Sequence, residues 1–230
     1  MGRGTITGLI GPNGAGKSTL LNVIAGASRA NSGSILLDGK PIDSLRPHQL
    51  LGRGLARTFQ VPRPIATMTV LENLVLAGPD QSGERIWNAW FQSARVGRQE
   101  NAIIDEALAV LAYVNLLHLR DAYAANLSGG QKKLLEFART LMIQPRIILL
   151  DEPAAGVNRT LMRQLTGHIE EQRRDHGVTF LIVEHDMDLV ARLCDPVIVM
   201  SEGSRLFEGS FEQIRQDPAV LDAYLGSQVG

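Results

Sequence analysis

The sequence predicts an α/β fold with a mainly parallel central sheet, and three observations carry that expectation. Short apolar runs bounded by turn residues alternate with stretches of helical periodicity along the chain. One run, ending at Leu9-Ile10, opens into the glycine-rich stretch Gly11-Pro12-Asn13-Gly14-Ala15-Gly16, which cannot continue a strand, and then into the helix formers Lys17-Ser18-Thr19-Leu20-Leu21. Another, Ile147 to Leu150, is apolar throughout, as a strand buried on both faces must be, and ends in Asp151-Glu152.

In chain order, the first helix runs to Ala25 and Gly26 stops it. Asn31-Ser32-Gly33 reads as a turn, Ser34 to Asp38 as a strand, and Gly39-Lys40-Pro41 as the next turn. Pro47 suits the first turn of a short helix ending near Gly52. Leu55 to Gln60 is a further strand, closed by Pro62 and Pro64, with Gln60 at its end. Thr69 caps a helix whose apolar positions are Val70, Leu71, Leu74 and Val75, and Gly78-Pro79 stops it. Ile86, Trp87, Trp90 and Phe91 form an aromatic stripe of helical spacing, either core packing or a partner contact. Ala102 to Val114 is another helix, so the middle of the chain reads as a helical subdomain.

Ser128 caps a helix from about Lys132 to Ile143, and Pro145 marks its end. After the 147–150 strand come a helix over 160–175, a strand from Val178 to Val183 that ends in Glu184-His185-Asp186, and a helix from Met187 to Leu193. Val197 to Met200 and Arg205 to Phe207 make a hairpin around Glu202-Gly203, and two short helices, from Ser210 and from Pro218 to Leu225, follow.

Composition narrows the function. Lys plus Arg number 23 against 24 for Asp plus Glu, so no global positive field draws this chain to nucleic acid. No apolar run approaches the about 18 residues of a membrane span. Cys194 stands alone in an apolar, helical stretch, which excludes an internal disulfide and reads as a small core residue.

The chemistry is carried by the strand ends. The spacing G-x-x-x-x-G-K-S from Gly11 to Ser18 is that of a phosphate-binding loop: amide N–H groups of Asn13, Gly14, Ala15, Gly16, Lys17, Ser18 and Thr19 converge on a polyphosphate at the positive end of a helix. Lys17 reaches the β- and γ-phosphates and the Ser18 hydroxyl ligates Mg²⁺. In a parallel sheet the carboxyl ends of strands gather on one edge, so Gln60, Asp151, Glu152 and His185 belong with that loop. Asp151 holds Mg²⁺ directly or through water, and Glu152 polarises or deprotonates an attacking water. His185 hydrogen-bonds the γ-phosphate or that water, and the Gln60 amide serves Mg²⁺ or water. Leu127-Ser128-Gly129-Gly130-Gln131 forms a second anion-binding helix start. Two glycines beside the capping serine suggest that something approaches the backbone closely there.

These motifs, in this order, resemble the ATP-binding subunit of an ABC transporter over nearly the whole chain. The resemblance implies an ABC-cassette fold of the P-loop NTPase class: a core over about 1–68 and 144–230, a helical subdomain over about 69–143, and one ATPase domain in all. It implies ATP and Mg²⁺ as cofactors, and a second ATP-binding subunit, identical or different, packed head to tail. Ser128, Gly129 and Gln131 of one subunit then cap the γ-phosphate held by the other, with Gly130 among the nucleotide-binding residues of the same stretch. The segment Ala155-Gly156-Val157-Asn158 is similar to the loop that crosses that interface, with Asn158 where many members have Asp. Transmembrane permease subunits, and through them a solute-binding protein, are the implied partners. The implied location is peripheral, on the cytoplasmic face of the membrane.

Leu55 to Gln60, Met68 to Asn73, Glu152 to Gly156, Val183 to Met187 and Ala223 to Gly226 narrow the resemblance to importers of branched-chain amino acids and related amides or urea. Gly129 stands where that branch often has Tyr, and Arg159 where Pro is usual. A soluble ABC-type ATPase of DNA repair or translation is the alternative; such proteins carry long coiled coils or two cassettes, and neither is here. Ten residues precede Gly11 and none is aromatic, whereas the family has strands and an adenine-stacking aromatic there. The expectation is therefore a reduced antiparallel β region, blurred base preference, and an apolar edge at Ile35 to Leu37.

Overall fold

A computed structural model describes residues 1–58, 63–79 and 93–226, with side chains of 93–98 and 225–226 excepted. Gln60 and the aromatic stripe from Ile86 to Phe91 lie outside the described residues. The described chain divides into two compact units, one of Met1–Gln60, Pro145–Ala155 and Thr166–Gly230, the other of Val61–Gln144 and Gly156–Leu165.

The first unit is built on a six-stranded sheet. Its strands are β1 (Ile6–Ile10), β4 (Leu55–Arg57), β5 (Ile147–Asp151), β6 (Thr179–Val183), β7 (Val197–Ser201) and β8 (Ser204–Gly209), in the order β4-β5-β6-β1-β7-β8. All neighbours are parallel except the β7–β8 hairpin. Every residue of β1 and β6 is buried, which accounts for their largely apolar character, Thr7 and Thr179 being the buried polar exceptions. Register then aligns the site: Asp151 pairs with Val183, and Val183 with Leu9. One step beyond this row, Glu152 and Glu184 have left their strands at the level of Ile10, the last residue of β1.

Around the sheet lie α1 (Lys17–Ile24), α2 (Pro47–Leu51), and the C-terminal helices α7 (Met187–Leu193), α8 (Phe211–Gln216) and α9 (Pro218–Gly226). Leu9, Leu21, Leu50, Leu149, Leu181 and Met200 belong to one buried cluster. A separate antiparallel pair, β2 (Leu36–Leu37) and β3 (Lys40–Pro41), corrects two expectations. The strand expected over Ser34 to Asp38 is only two residues long. Lys40-Pro41 is strand rather than turn, because the turn closes at Asp38 and Gly39, both at positive φ (51° and 74°) as a two-residue hairpin requires. Proline is tolerated there because, among the described residues, β3 has no strand partner on its other side. Within the anticipated apolar edge, Ile35 and Leu37 pack against the core cluster, and Leu36 alone is exposed.

The second unit is helical. It contains α3 (Val70–Val75), α4 (Ser93–Tyr113) and α5 (Gly129–Leu141), and Arg159 to Leu165 of α6 (Arg159–His176). Val70, Leu74, Ile103, Ala107, Leu111, Leu134 and Leu135 are buried, at the helical spacing that the sequence shows. Helix α4 begins earlier than Ala102. Helix α5 runs from Gly129 to Leu141 rather than from Lys132 to Ile143, since the Ser128 cap admits both glycines as its first turn. Thr69 closes a capping box with Glu72, its hydroxyl accepting from the Glu72 N–H at 3.1 Å and the Glu72 carboxylate accepting from the Thr69 N–H at 2.7 Å. Asn73 is fully buried, its Oδ1 accepting from Ile65 N–H (2.8 Å) and its Nδ2 donating to Ile65 O (3.1 Å) and Thr69 O (2.9 Å). It thus staples the entry segment to α3.

Candidate functional site

The glycine-rich loop leaves β1 in a conformation that side chains resist. Gly11, Gly14 and Gly16 have φ of 148°, 81° and 95°. A Cβ on Gly11 would lie 2.1 Å from Met200 O, so β7 also closes the space there. The turn of the β7–β8 hairpin braces the loop from outside, Gly203 N–H donating to Ala15 O at 3.1 Å. Tyr224 of α9 adds a further contact through the Gly11 backbone, and burial pushes its phenol up to about 12.

Helix α1 lacks a device that several other helices have. Thr69, Ser128, Asp186 and Ser210 each cap a helix through a side-chain oxygen. Among the described residues no side chain caps α1, whose N-cap is Gly16 in the left-handed region. The first-turn amides therefore keep an unmet demand for an anion at the positive end of the helix. Asn13, Gly14, Ser18 and Thr19 are exposed around that end.

Lys17 is 6% exposed and turns back on its own loop, its Nζ donating to Gly11 O (2.7 Å) and Pro12 O (2.9 Å). Burial holds its pKa below the ordinary lysine value, while the nearby Glu152 and Asp151 carboxylates oppose that shift. The loop lysine and the two carboxylates therefore act on one another electrostatically.

Asp151, the last residue of β5, is 4% exposed. Its Oδ2 accepts from Arg57 Nη2 at 3.1 Å, and Arg57 Nη1 donates to Asn22 Oδ1 of α1 at 2.7 Å. Its Oδ1 is buried with no hydrogen-bond partner among the described residues. Such an oxygen, close enough to the Lys17 of a phosphate-type loop to act on its charge, fits a hard divalent cation. Mg²⁺ takes one or two protein oxygens and completes its shell with waters and phosphates.

Glu152 follows at φ 48°, a left-handed conformation unusual for a side-chain-bearing residue, and its N–H donates to Val183 O at 2.9 Å. His185 lies two residues beyond β6. Its Nε2 is 2.7 Å from Glu152 Oε1, with side-chain exposures of 45% and 19%. The fold thus brings Lys17, Asp151, Glu152 and His185 to one edge of the sheet.

In the helical unit, Ser128 and Gln131 form a capping box: Ser128 Oγ accepts from Gln131 N–H at 3.3 Å, and Gln131 Oε1 accepts from Ser128 N–H at 2.9 Å. The two glycines between them have different reasons. A Cβ on Gly130 would sit 2.4 Å from Leu161 Cδ1, so close approach there comes from this chain's own packing. A Cβ on Gly129 would meet nothing within 4 Å. Asn158 caps α6, its Oδ1 accepting from Leu161 N–H at 2.9 Å, a role that Asp fills equally.

Sequence reasoning did not single out Arg57 or Glu184 as site residues. Both carried a signal, since each is a charge within or directly after a strand of buried residues, and a charge in that place needs partners.

Comparison with known proteins follows the same lines. The family described as "ABC transporter" matches residues 1–155, and "Branched-chain amino acid ATP-binding cassette transporter" matches residues 204–229. The probable branched-chain amino acid transport ATP-binding protein LivG of Archaeoglobus fulgidus is 44% identical over 226 residues, covering 98% of this chain and 86% of that protein. A crystal structure of a nucleotide-free ATP-binding cassette from an ABC transporter superposes with a TM-score of 0.82 at 39% identity, over 97% of this chain and 88% of the other. The ADP conformation of an ATP-binding cassette of an ABC transporter gives 0.81 at 38% identity, over 97% and 89%.

Proposed function

Because this chain belongs to the family of ABC transporter ATP-binding subunits, we propose that it hydrolyses ATP to drive an importer of branched-chain amino acids. The observation that carries the hydrolytic part is the uncapped glycine loop around Lys17, set on the same sheet edge as Asp151, Glu152 and His185.

The uncapped α1 amides and Lys17 bind the phosphates, and Lys17 exchanges its carbonyl contacts for phosphate oxygens. Asp151, Ser18 and Gln60 would hold Mg²⁺, which would neutralise charge on the phosphate oxygens. Glu152 takes the proton of the attacking water, and His185 orients that carboxylate and then the γ-phosphate. Phosphoryl transfer asks for position and charge rather than covalent catalysis, and these residues supply both.

Ser128, Gly129 and Gln131 act in trans. In this reading two subunits close head to tail, and the exposed Ser128 hydroxyl and the open space over Gly129 receive the partner's γ-phosphate. Closure and reopening drive permease subunits in the membrane from its cytoplasmic face, and the permeases meet a solute-binding protein on the other side. Among the described residues no helix is long and apolar enough to cross a membrane, so the membrane path belongs to those partners.

Reconstitution in vesicles with the permeases encoded beside this gene tests the reading. ATP-dependent uptake of labelled leucine supports it; phosphate release that no branched-chain amino acid stimulates, with no uptake, removes the substrate assignment.

A further inference from the structure

Glu184 carries no role in the mechanism above, yet it is among the most buried charged residues of the site, at 3% exposure. Its partners are three backbone N–H groups on two strand exits. Oε1 accepts from Ala154 N–H at 2.6 Å, in the segment that follows Glu152. Oε2 accepts from His185 N–H at 2.9 Å and from Asp186 N–H at 3.3 Å, in the turn that follows β6.

We propose that Glu184 is a positioning residue for hydrolysis, one buried carboxylate that locks the exits of β5 and β6 together so that Glu152 and His185 meet. The proposal rests on the hydrolytic reading of the site. The His185 ring is nearly half exposed, so packing alone does not hold it; its backbone is what is fixed. Glu152 is held in a left-handed conformation whose cost the surroundings must meet. The backbone bond from Glu152 N–H to Val183 O ties the exits once, and the Glu184 carboxylate ties them again one residue further out. A carboxylate suits the task because it only accepts. A glutamine would turn an N–H₂ toward one set of N–H donors and lose that exit.

The test uses the full-length purified chain. Wild type that turns over ATP while Glu152→Gln does not establishes the underlying chemistry. Glu184→Gln should then lower kcat about 10- to 100-fold with KM for ATP changed by less than about threefold, since the phosphate loop keeps its own contacts. Glu184→Asp keeps the charge but is one methylene short of spanning both exits, so it should also lose kcat; it replaces the Gln variant should that one fail to fold. In a His185→Ala background, Glu184→Gln should cost less than about twofold more, because its effect passes through the geometry that His185 completes. Losses that multiply, a raised KM with unchanged kcat, or normal turnover by Glu184→Gln would each overturn the positioning role while leaving the hydrolytic reading in place. A wild-type chain without turnover would sink both.

Discussion

His185 Nε2 and Glu152 Oε1 lie 2.7 Å apart, joining the residues that leave two neighbouring parallel strands. With Glu152 ionised, the Nε2–H donates and the carboxylate accepts, so the imidazole fixes the direction in which Glu152 presents its second oxygen. The contact gives His185 a partner within the chain itself. Sequence reasoning had offered it only the γ-phosphate or the attacking water.

Replacing Glu152 with Gln keeps the shape of this pair and removes the base proposed for hydrolysis. Turnover should fall roughly a hundred- to ten-thousand-fold while ATP still binds. The variant should gather as a closed dimer with ATP in size-exclusion chromatography. A monomer that releases phosphate at the wild-type rate would show that another group takes the proton.

Lys17→Ala should act on binding instead. It removes a charge-assisted contact to the phosphates worth about 1.5–3 kcal/mol, roughly 10- to 150-fold in ATP affinity. Isothermal titration calorimetry reads this directly, and an unchanged Kd would exclude Lys17 from the phosphate contacts.

Arg57 ties Asp151 to Asn22, with side-chain exposures of 15% for Arg57 and 3% for Asp151. Arg57→Met strands a buried carboxylate and should cost about 3–5 kcal/mol in urea unfolding. Asp151→Asn added to it should recover part of that loss, because the stranded charge disappears. A single-variant cost below about 1 kcal/mol, or no recovery in the double variant, would show that the pair is not a buried anchor.

Local signals were legible where one residue type settles the backbone. Thr69 and Ser128 were read as caps and both close capping boxes with the Glu or Gln three residues on, while Ser210, read only as a helix start, closes a third. Glu202-Gly203 was readable as a hairpin turn, and both residues have positive φ. The strand ends that carry Asp151, Glu152 and His185 were legible from apolar runs that stop at a charge. Pairings across the fold were not: Arg57 and Asp151 are 94 residues apart, Glu184 and Ala154 are 30, and no local pattern encodes either. Lys40-Pro41 was misread because a proline argues against a strand unless the strand has a free edge. Cys194 was assigned to a helix, yet it sits at the C-cap of α7 with extended angles, the helix having ended ahead of cis-Pro196.

Burial pushes the Cys194 thiol up to about 12, from 9.0. Folding holds the proton more tightly than the unfolded chain does, so the stability this contributes is complete below pH 9.0 and is lost as pH rises toward about 12. Between pH 8 and pH 10 the wild type should lose about 1.4 kcal/mol more than Cys194→Ala, measured by urea unfolding under reducing conditions. Parallel pH profiles for the two would show that the thiol titrates normally.

The adjacent glycines of α5 should separate folding from function. A methyl on Gly130 would collide with Leu161 Cδ1 unless that side chain gives way, so Gly130→Ala should lower stability by about 1–3 kcal/mol. A methyl on Gly129 meets nothing within 4 Å and reduces the freedom of the unfolded chain, so Gly129→Ala should leave stability unchanged or raise it by up to about 1 kcal/mol. If the open face of Gly129 receives the γ-phosphate held by a second subunit, the same methyl fills the space that the phosphate needs. Turnover of Gly129→Ala should then fall at least about tenfold, while its monomeric ATP affinity, set by the Lys17 loop, stays within about twofold. Thermal unfolding, calorimetry and phosphate release on the two variants give the comparison. A Gly129→Ala chain that is both stable and fully active would mean that nothing approaches this helix start during turnover, and the trans role of Ser128 and Gln131 would fall with it.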